Sequence, residues 1–351
     1  MNENFLPSEY MIRVECLTYN HAPYIEGAMN GFCMQETDFP FVCVIFDDAS
    51  TDGEPEVIHN YLEHHFDLAD SRFAHTEETD DYLLIFARHR TNHNCFFGVL
   101  FLKYNHYQKR KDKKTYFESW SQAKYIAYCE GDDYWTHPKK LQMQVTVLNE
   151  HLECSFSGTG FVVHKSGNEE DMTIYETNNS IRFYGIDKWN RLWIAKTLTM
   201  MIRDDAFKHC MSERSKYRIF KDTHLQYHLF KLGKCAYIPL NMGVYNDDGQ
   251  GIWNSRTYLE KLEWDMFAMR DIYIKNNRDT IVYPHFIKYL KDSIFSISDA
   301  SKRKELILEG MKEARCLKDW ANMIILYIKW IINDIKIKIG IRTRLKRLSG
   351  V

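Results

Sequence analysis

Residues 125–148 read YIAYCEGDDYWTHPKKLQMQVTVL, an apolar run, an acidic turn and a helical pattern in direct succession. The run YIAYC (125–129) is short and apolar, as a buried strand requires. Beyond the acids, Pro138 suits a helix first turn, and Leu141, Val145, Leu148 and Leu152 then recur at helical spacing. Glu130, Asp132 and Asp133 therefore lie on a loop from the C-terminal end of a strand into a helix. In open α/β sheets that edge binds ligands. Like charges set among Tyr128, Tyr134 and Trp135 are costly unless something positive offsets them. A helix N-terminus favours acids, which explains carboxylates before Pro138 but not their aromatic surroundings.

The chain upstream repeats the strand–turn–helix pattern. IRVECL (12–17) precedes TYNHAPYIEGAMNGFCMQ, with Pro23 near a helix start. FVCVIF (41–46) precedes DDASTDG and a second helix near Pro55, with Ile58, Tyr61, Leu62 and His65 on one face. YLLIFA (82–87) is a third strand candidate. Such alternation predicts an α/β domain with a largely parallel sheet. No element is assigned within 88–124, where KYNHYQKRKDKKTYFESW is too charged for a core. It reads as a solvated loop or as a loop over a phosphate ligand. Between 154 and 254, strand-like SFSGTGFVVH, LTMMI and CAYIPLNMGVY surround a helix that starts near Thr223 and stops at Gly233. Residues 255–351 read as helices only, an appendage to a domain spanning 1–254.

Composition narrows the function classes. The 351 residues are 45% hydrophobic and 27% charged, with a formal net charge of −2. That balance gives no global field for nucleic acid, so none is expected as a partner. Nine cysteines show no paired ligand spacing, and Cys16, Cys43 and Cys129 fall inside apolar runs. Thiols so placed indicate a reducing compartment. The N-terminus lacks the basic start and apolar core of a signal peptide, and no apolar stretch is long enough to span a bilayer. A cytoplasmic location follows as the expectation.

Three turns carry chemistry. Thr18, Tyr19 and Asn20 end the first strand, where an aromatic ring and small polar groups can stack on a base and hydrogen-bond to it. Asp47 and Asp48 end the second strand, and a carboxylate there can accept from a uracil imide or a ribose hydroxyl. The alternative for this DDAS turn is helix capping, for which Asp47, Asp48, Ser50, Thr51 and Asp52 are all suited. Glu130, Asp132 and Asp133 present oxygen donors suited to Mg²⁺ or Mn²⁺. Downstream, Asp222 opens the Thr223 helix as either a cap or a general base. Asp204 and Asp205 are weaker base candidates, expected in a turn after a strand.

In this order and spacing, LTYNHAPYIEGAMNGFCMQ, FDDASTDG and YIAYCEGDDYWTHPKKLQMQVTVL resemble the family 2 glycosyltransferases of the GT-A fold, bacterial cell-surface polysaccharide members above all. The resemblance covers residues 11–254. It implies a mixed, mostly parallel α/β sheet and inverting transfer of a sugar from a nucleotide donor, a UDP-sugar, to a saccharide or lipid-linked saccharide acceptor. It further implies that Thr18, Tyr19, Asn20, Asp47, Asp48 and Asp132 hold the nucleotide-sugar and that Asp222 is the general base. Glu130, Asp132 and Asp133 correspond to the family's DxD-type metal site, with Glu in the first position. MGVYNDDGQGIWN (242–254) departs from the family pattern: Asn246 replaces a basic residue and Asp248 a metal-ligating His. Asp248 becomes a fourth candidate ligand, and the Lys and Arg side chains of 103–114 could offset its charge. This departure keeps open a non-catalytic nucleotide-sugar or glycan binder. A nucleotidyltransferase is the other rival, though TYNHAPYI lacks its Gly-rich phosphate loop.

In the tail, Ile324, Ile328, Ile331, Ile335 and Ile339 form one helical stripe, followed by Arg342, Arg344, Lys346 and Arg347. An apolar stripe with flanking cations suits an anionic membrane surface, through 320–347. It equally suits packing on the chain's own domain or on a second subunit of a homo-oligomer.

Overall fold

The computed structural model describes residues 9–109, 111–174, 180–189, 194–247, 255–297 and 299–348. The chain divides into two compact units, Met1–Asn254 and Ser255–Val351.

The first unit opens with β1 (Tyr10–Thr18), α1 (Ile25–Cys33), β2 (Phe41–Asp47) and α2 (Glu54–His65). Three strands follow, β3 (His75–Glu78), β4 (Tyr82–Arg88) and β5 (Cys95–Leu102), then the short α3 (His106–Lys109). Next come β6 (Ala123–Tyr128), the two-residue β7 (Tyr134–Trp135) and α4 (Lys140–Glu150). The remainder comprises β8 (Cys154–Lys165), β9 (Asn168–Asp171), β10 (Arg182–Tyr184), β11 (Met201–Arg203), α5 (Asp204–Glu213), α6 (Asp222–Leu232) and β12 (Lys234–Asn246).

One sheet runs in the order β10-β12-β8-β11-β6-β1-β2-β5-β4-β3, with β7 paired to β12 and β9 to β8. Its centre, β6-β1-β2-β5, is parallel, and antiparallel pairs flank it on both sides. All seven residues of β2 and all eight of β5 are buried, because these strands are covered on both faces. Their alternate side chains enter different cores. Cys43 and Ile45 join Phe32 and Leu62 of the helices, while Val42, Val44 and Phe46 pack with Leu100, Phe117 and Ala123.

Three local expectations are corrected. The stretch 88–124 contains β5, a central strand. CFFGVLFL has no polar alternation because both faces are covered, so period-two patterning could not reveal it. Leu152 lies past the end of α4 and is 79% exposed, unlike Leu141, Val145 and Leu148. Asp204 and Asp205 form the first turn of α5 rather than a loop, and Asp204 pairs with Lys208 one turn on.

The elements among the described residues of the second unit are all helices: α7 (Tyr258–Lys275), α8 (Tyr283–Ser296), α9 (Ala300–Glu313) and α10 (Leu317–Leu348). Thr257 caps α7 with a reciprocal Glu260 bond, and Asp299 caps α9. Arg270–Glu309 and Arg278–Glu313 pairs tie α9 and its C-terminal end to the first helix and its exit. Among the described side chains of α10, Met323 and Leu326 form the buried ridge and Ile325, Ile328 and Ile332 are about half exposed, while the side chains of Ile335 and Ile339 lie outside the described ones. The ridge therefore lies to one side of the predicted Ile324–Ile328–Ile331 stripe. A helix rich in isoleucine on several faces does not reveal by period alone which one it buries.

Candidate active site

Register places the predicted turns on one edge. Thr18 pairs with Asp47 across β1 and β2, and Glu15 pairs with Tyr128 across β1 and β6. The parallel strands thus end side by side, and their exit loops fan from one line of carbonyls. Asp48 N–H donates to Thr18 O at 3.0 Å, and Gly131 N–H donates to Leu17 O at 3.0 Å.

The first two turns are stitched together by Glu54, which the sequence reading did not single out. Glu54 is fully buried at the start of α2. Its Oε1 accepts from the Thr18 hydroxyl, and its Oε2 accepts from His21 N–H at 2.9 Å and Ser50 Oγ at 2.8 Å. Asn20, held at φ +57°, accepts from Thr51 N–H at 2.8 Å, and its own N–H donates to Ser50 Oγ at 2.9 Å. Asp52 accepts from Ala22 N–H at 2.9 Å. Tyr19 is carried outward on this braced turn, 41% exposed. An acid directly before Pro55 reads locally as a first-turn residue; its reach back to Thr18 is a tertiary fact.

Asp47 is buried, and desolvation pushes its carboxyl up to about 6, although Ser50 N–H donates to it at 3.1 Å. Asp48 faces the basic loop. Its oxygens accept from His106 N–H at 2.8 Å and Tyr107 N–H at 3.0 Å, and Lys113 Nζ lies 3.5 Å away. The loop is further fastened by Lys111 to Asp81 at 2.7 Å and Tyr116 to Asp81 at 3.0 Å. The cations Lys111 and Lys113 are thus engaged with carboxylates at the strand ends.

The acidic turn is built differently. Glu130, Asp132 and Asp133 bring carboxylate oxygens within 4.8 Å of one another. Asp133 is buried, and burial followed by the charges of Asp132 and Glu130 drives its carboxyl well up. Glu130 is open to water at the surface. Desolvation by the protein around it and repulsion from Asp132 push it up to about 7, against the pull of Lys196. Lys196, its ammonium 3.8 Å from the Tyr245 ring centre, also lowers Asp133.

Asn246 braces this turn. Its N–H donates to Asp133 Oδ1 at 3.0 Å and its amide to Asp132 O at 2.5 Å. The pairing of Tyr134 with Val244 between β7 and β12 brings it there. A basic side chain is thus replaced by one that fastens the backbone of the acids. Asp248 lies outside the described residues.

Gly131 joins the two halves. A Cβ there would stand 2.1 Å from Thr18 Oγ1 and 2.6 Å from Thr18 Cβ. The all-oxygen donor set and the glycine that lets it close on Thr18 fit a hard divalent cation such as Mn²⁺ or Mg²⁺.

Asp222 is the first residue of α6 rather than its cap, which is Lys221. Its Oδ1 accepts from Thr223 N–H at 2.8 Å, and its charge reaches Glu130, contributing to the upward shift there. His224 Nδ1 accepts from Lys221 N–H at 3.2 Å, and burial lowers that ring to about 3, so it stays neutral as the acceptor this turn needs.

No family model matches the chain. Two uncharacterized proteins, from Mycobacterium tuberculosis (strain ATCC 25618 / H37Rv) and Mycobacterium bovis, are each 27% identical over 255 residues. That stretch covers 71% of this chain and 62% of theirs, less than two thirds of those relatives. The crystal structure of S. aureus TarS 1-349 in complex with UDP superposes with a TM-score of 0.50 at 14% identity, covering 91% of each chain. The mannosyltransferase PcManGT from Pyrobaculum calidifontis, in complex with GDP-Man and Mn²⁺, gives 0.46 at 14% identity over 93% of this chain and 87% of that one. The fold is of the GT-A type. At such identities the likeness is one of architecture, and the site must be argued from its own residues.

Proposed function

We propose that the chain is a metal-dependent inverting glycosyltransferase, of family 2 character, that moves a sugar from a UDP-sugar to a saccharide or lipid-linked saccharide acceptor in surface polysaccharide synthesis. One observation carries this reading: Tyr19, Asp47 and the acidic triad converge on one sheet edge, and the charge of Asp222 reaches the same triad. Exposed Tyr19 offers a face for the base, and Asp47 and Asp48 line the side where base and ribose would lie. Glu130, Asp132 and Asp133 would hold Mn²⁺ or Mg²⁺, with Asp248 a further candidate. A bound cation supplies charge neutralisation for the departing diphosphate.

Asp222 takes the proton of the acceptor hydroxyl as that oxygen bonds to the anomeric carbon. The bond from that carbon to the phosphate oxygen breaks on the opposite face, and its electron pair leaves with the diphosphate. Asn246, in place of a basic residue, braces the acids through Asp132 and Asp133, and a non-catalytic binder of nucleotide-sugar stays the alternative that the test below separates.

The test is UDP release from a panel of UDP-sugars with Mn²⁺, with and without saccharide acceptors. Turnover that requires the metal and is lost in Asp132→Asn supports the proposal; metal-dependent binding with no turnover on any donor argues for a binding protein.

Among the described residues no helix is long and apolar enough to cross a membrane. We further propose peripheral contact of 320–347 with anionic lipid, since Ile325, Ile328 and Ile332 stand exposed ahead of the basic tail. Full-length protein should float with anionic liposomes and a chain truncated near residue 318 should not.

A further inference from the structure

Acids and a diphosphate repel each other across one site, and the chain's own cations decide how far that repulsion is offset. Lys111 and Lys113 are held by Asp81 and Asp48. Asn246 gives its backbone and side-chain donors to Asp133 and Asp132. Lys196 is placed differently.

The turn that carries Lys196 is anchored on both sides of the site. Ala195 O accepts from the Gln226 amide at 2.9 Å, and Gln226 lies one turn beyond Asp222 on the same face of α6. Leu198 O accepts from Trp135 Nε1 at 2.9 Å, and Trp135 directly follows Tyr134 at the exit of the acidic turn. Between these anchors, Lys196 O accepts from Thr199 N–H and from Thr199 Oγ1, both at 2.8 Å. The half-buried side chain then sets its ammonium 3.8 Å from the centre of the Tyr245 ring. Tyr245 immediately precedes Asn246, whose N–H donates to Asp133 Oδ1 at 3.0 Å. The ammonium is thereby held beside the acidic turn, on the side of α6, and its charge acts on both Glu130 and Asp133. An ammonium against a ring face keeps N–H donors for an oxygen on its other side.

We propose that Lys196 is a diphosphate-binding residue of the donor site, its ammonium meeting a phosphoryl oxygen of the nucleotide-sugar and stabilising the diphosphate as it leaves. This inference rests on the nucleotide-sugar reading above and names the side chain that answers the leaving group's charge. A compact point charge suits a phosphoryl oxygen. Because negative charge grows on the diphosphate as the sugar departs, a preorganised cation there favours the transition state over the bound donor. Lys196 exchanges no proton in this role. The ring of Tyr245 and the bonds of Thr199 make it a positioned cation rather than a free surface lysine.

The experiment measures UDP and uridine binding to the full chain by calorimetry at saturating Mn²⁺. The wild type should bind UDP more tightly than uridine. Lys196→Gln should weaken UDP binding by about 10- to 100-fold and leave uridine binding unchanged. Lys196→Arg, which keeps the charge, should retain most of the UDP affinity. Equal UDP affinity in Lys196→Gln and wild type leaves Lys196 as a counter-charge to the acids and overturns the proposal. A parallel loss of UDP and uridine, or a loss as large in Lys196→Arg as in Lys196→Gln, shows that the diphosphate does not meet this charge and overturns it too. So does a wild type that binds UDP no more tightly than uridine. In these cases binding of nucleotide by the wild type leaves the donor reading standing, whereas a wild type that binds neither ligand overturns both.

Discussion

Two carboxylate clusters sit on the same sheet edge and are stabilised in opposite ways. At the first, Glu54, Asp48 and Asp52 draw donors from the protein itself: the Thr18 and Ser50 hydroxyls and the N–H groups of His21, Ala22, His106 and Tyr107. At the second, Asp133 accepts one N–H, from Asn246, and both Glu130 and Asp133 are driven up, by burial first and by the neighbouring acids after it. The first cluster is complete as a piece of structure. The second gathers three carboxylates within 4.8 Å, a donor set suited to a hard cation. Acidic residues at the C-terminal ends of strands are therefore not equivalent, and the difference lies in where the donors come from.

The comparison breaks most severely at the glycine between the clusters. Gly131→Val places a branched side chain into Thr18, with even its Cβ only 2.1 Å from Oγ1. It should cost about 1–3 kcal/mol in urea unfolding and abolish the Mn²⁺-dependent thermal shift with UDP. Unchanged metal binding would mean the two turns are independent. Next in size is Asp222→Asn, which should lower kcat by about 10²–10⁴-fold while Mn²⁺ and UDP still bind. A variant that turns over normally would leave the base unassigned and remove Asp222 from the site.

The pH dependence sharpens the contrast. Glu130, near 7, and Asp133 are raised above their unfolded values, so the folded metal-free chain holds more protons than the unfolded one. Their contribution is favourable below the unfolded carboxylate range and is lost as pH rises through the folded values. A cation must displace those protons, so the stabilisation by Mn²⁺ should grow from pH 6 to pH 8, as read by melting temperature. A shift independent of pH would place the ion elsewhere. The smallest effect on metal binding is expected at the satisfied cluster. Glu54→Gln keeps the shape but replaces one acceptor oxygen by an amide donor, and should cost about 1–3 kcal/mol in stability with Mn²⁺ affinity little changed.

Much of the site was legible along the chain because strand ends announce themselves. Apolar runs stopping at TYN, DDAS and EGDD locate the ligand edge, and in-register parallel pairing of Thr18 with Asp47 then aligns the turns. Glu54 was not legible, since a first-turn acid before Pro55 has an adequate local explanation. Nor was β5, because CFFGVLFL carries no alternation when both faces are buried. Asn246 was visible as a departure from a family pattern, but its bonds to Asp132 and Asp133 arise from the pairing of β7 with β12.

By itself the sequence determined the α/β class, the helical character of residues 255–348 and the three polar turns, because periodicity and turn chemistry are local and act within a few residues. Only the tertiary structure decided which acids meet protein donors and which meet each other. Hydrogen bonding and charge repulsion act over a few ångströms in space, and Glu54 reaches Thr18 across 36 residues, as Asn246 reaches Asp133 across 113.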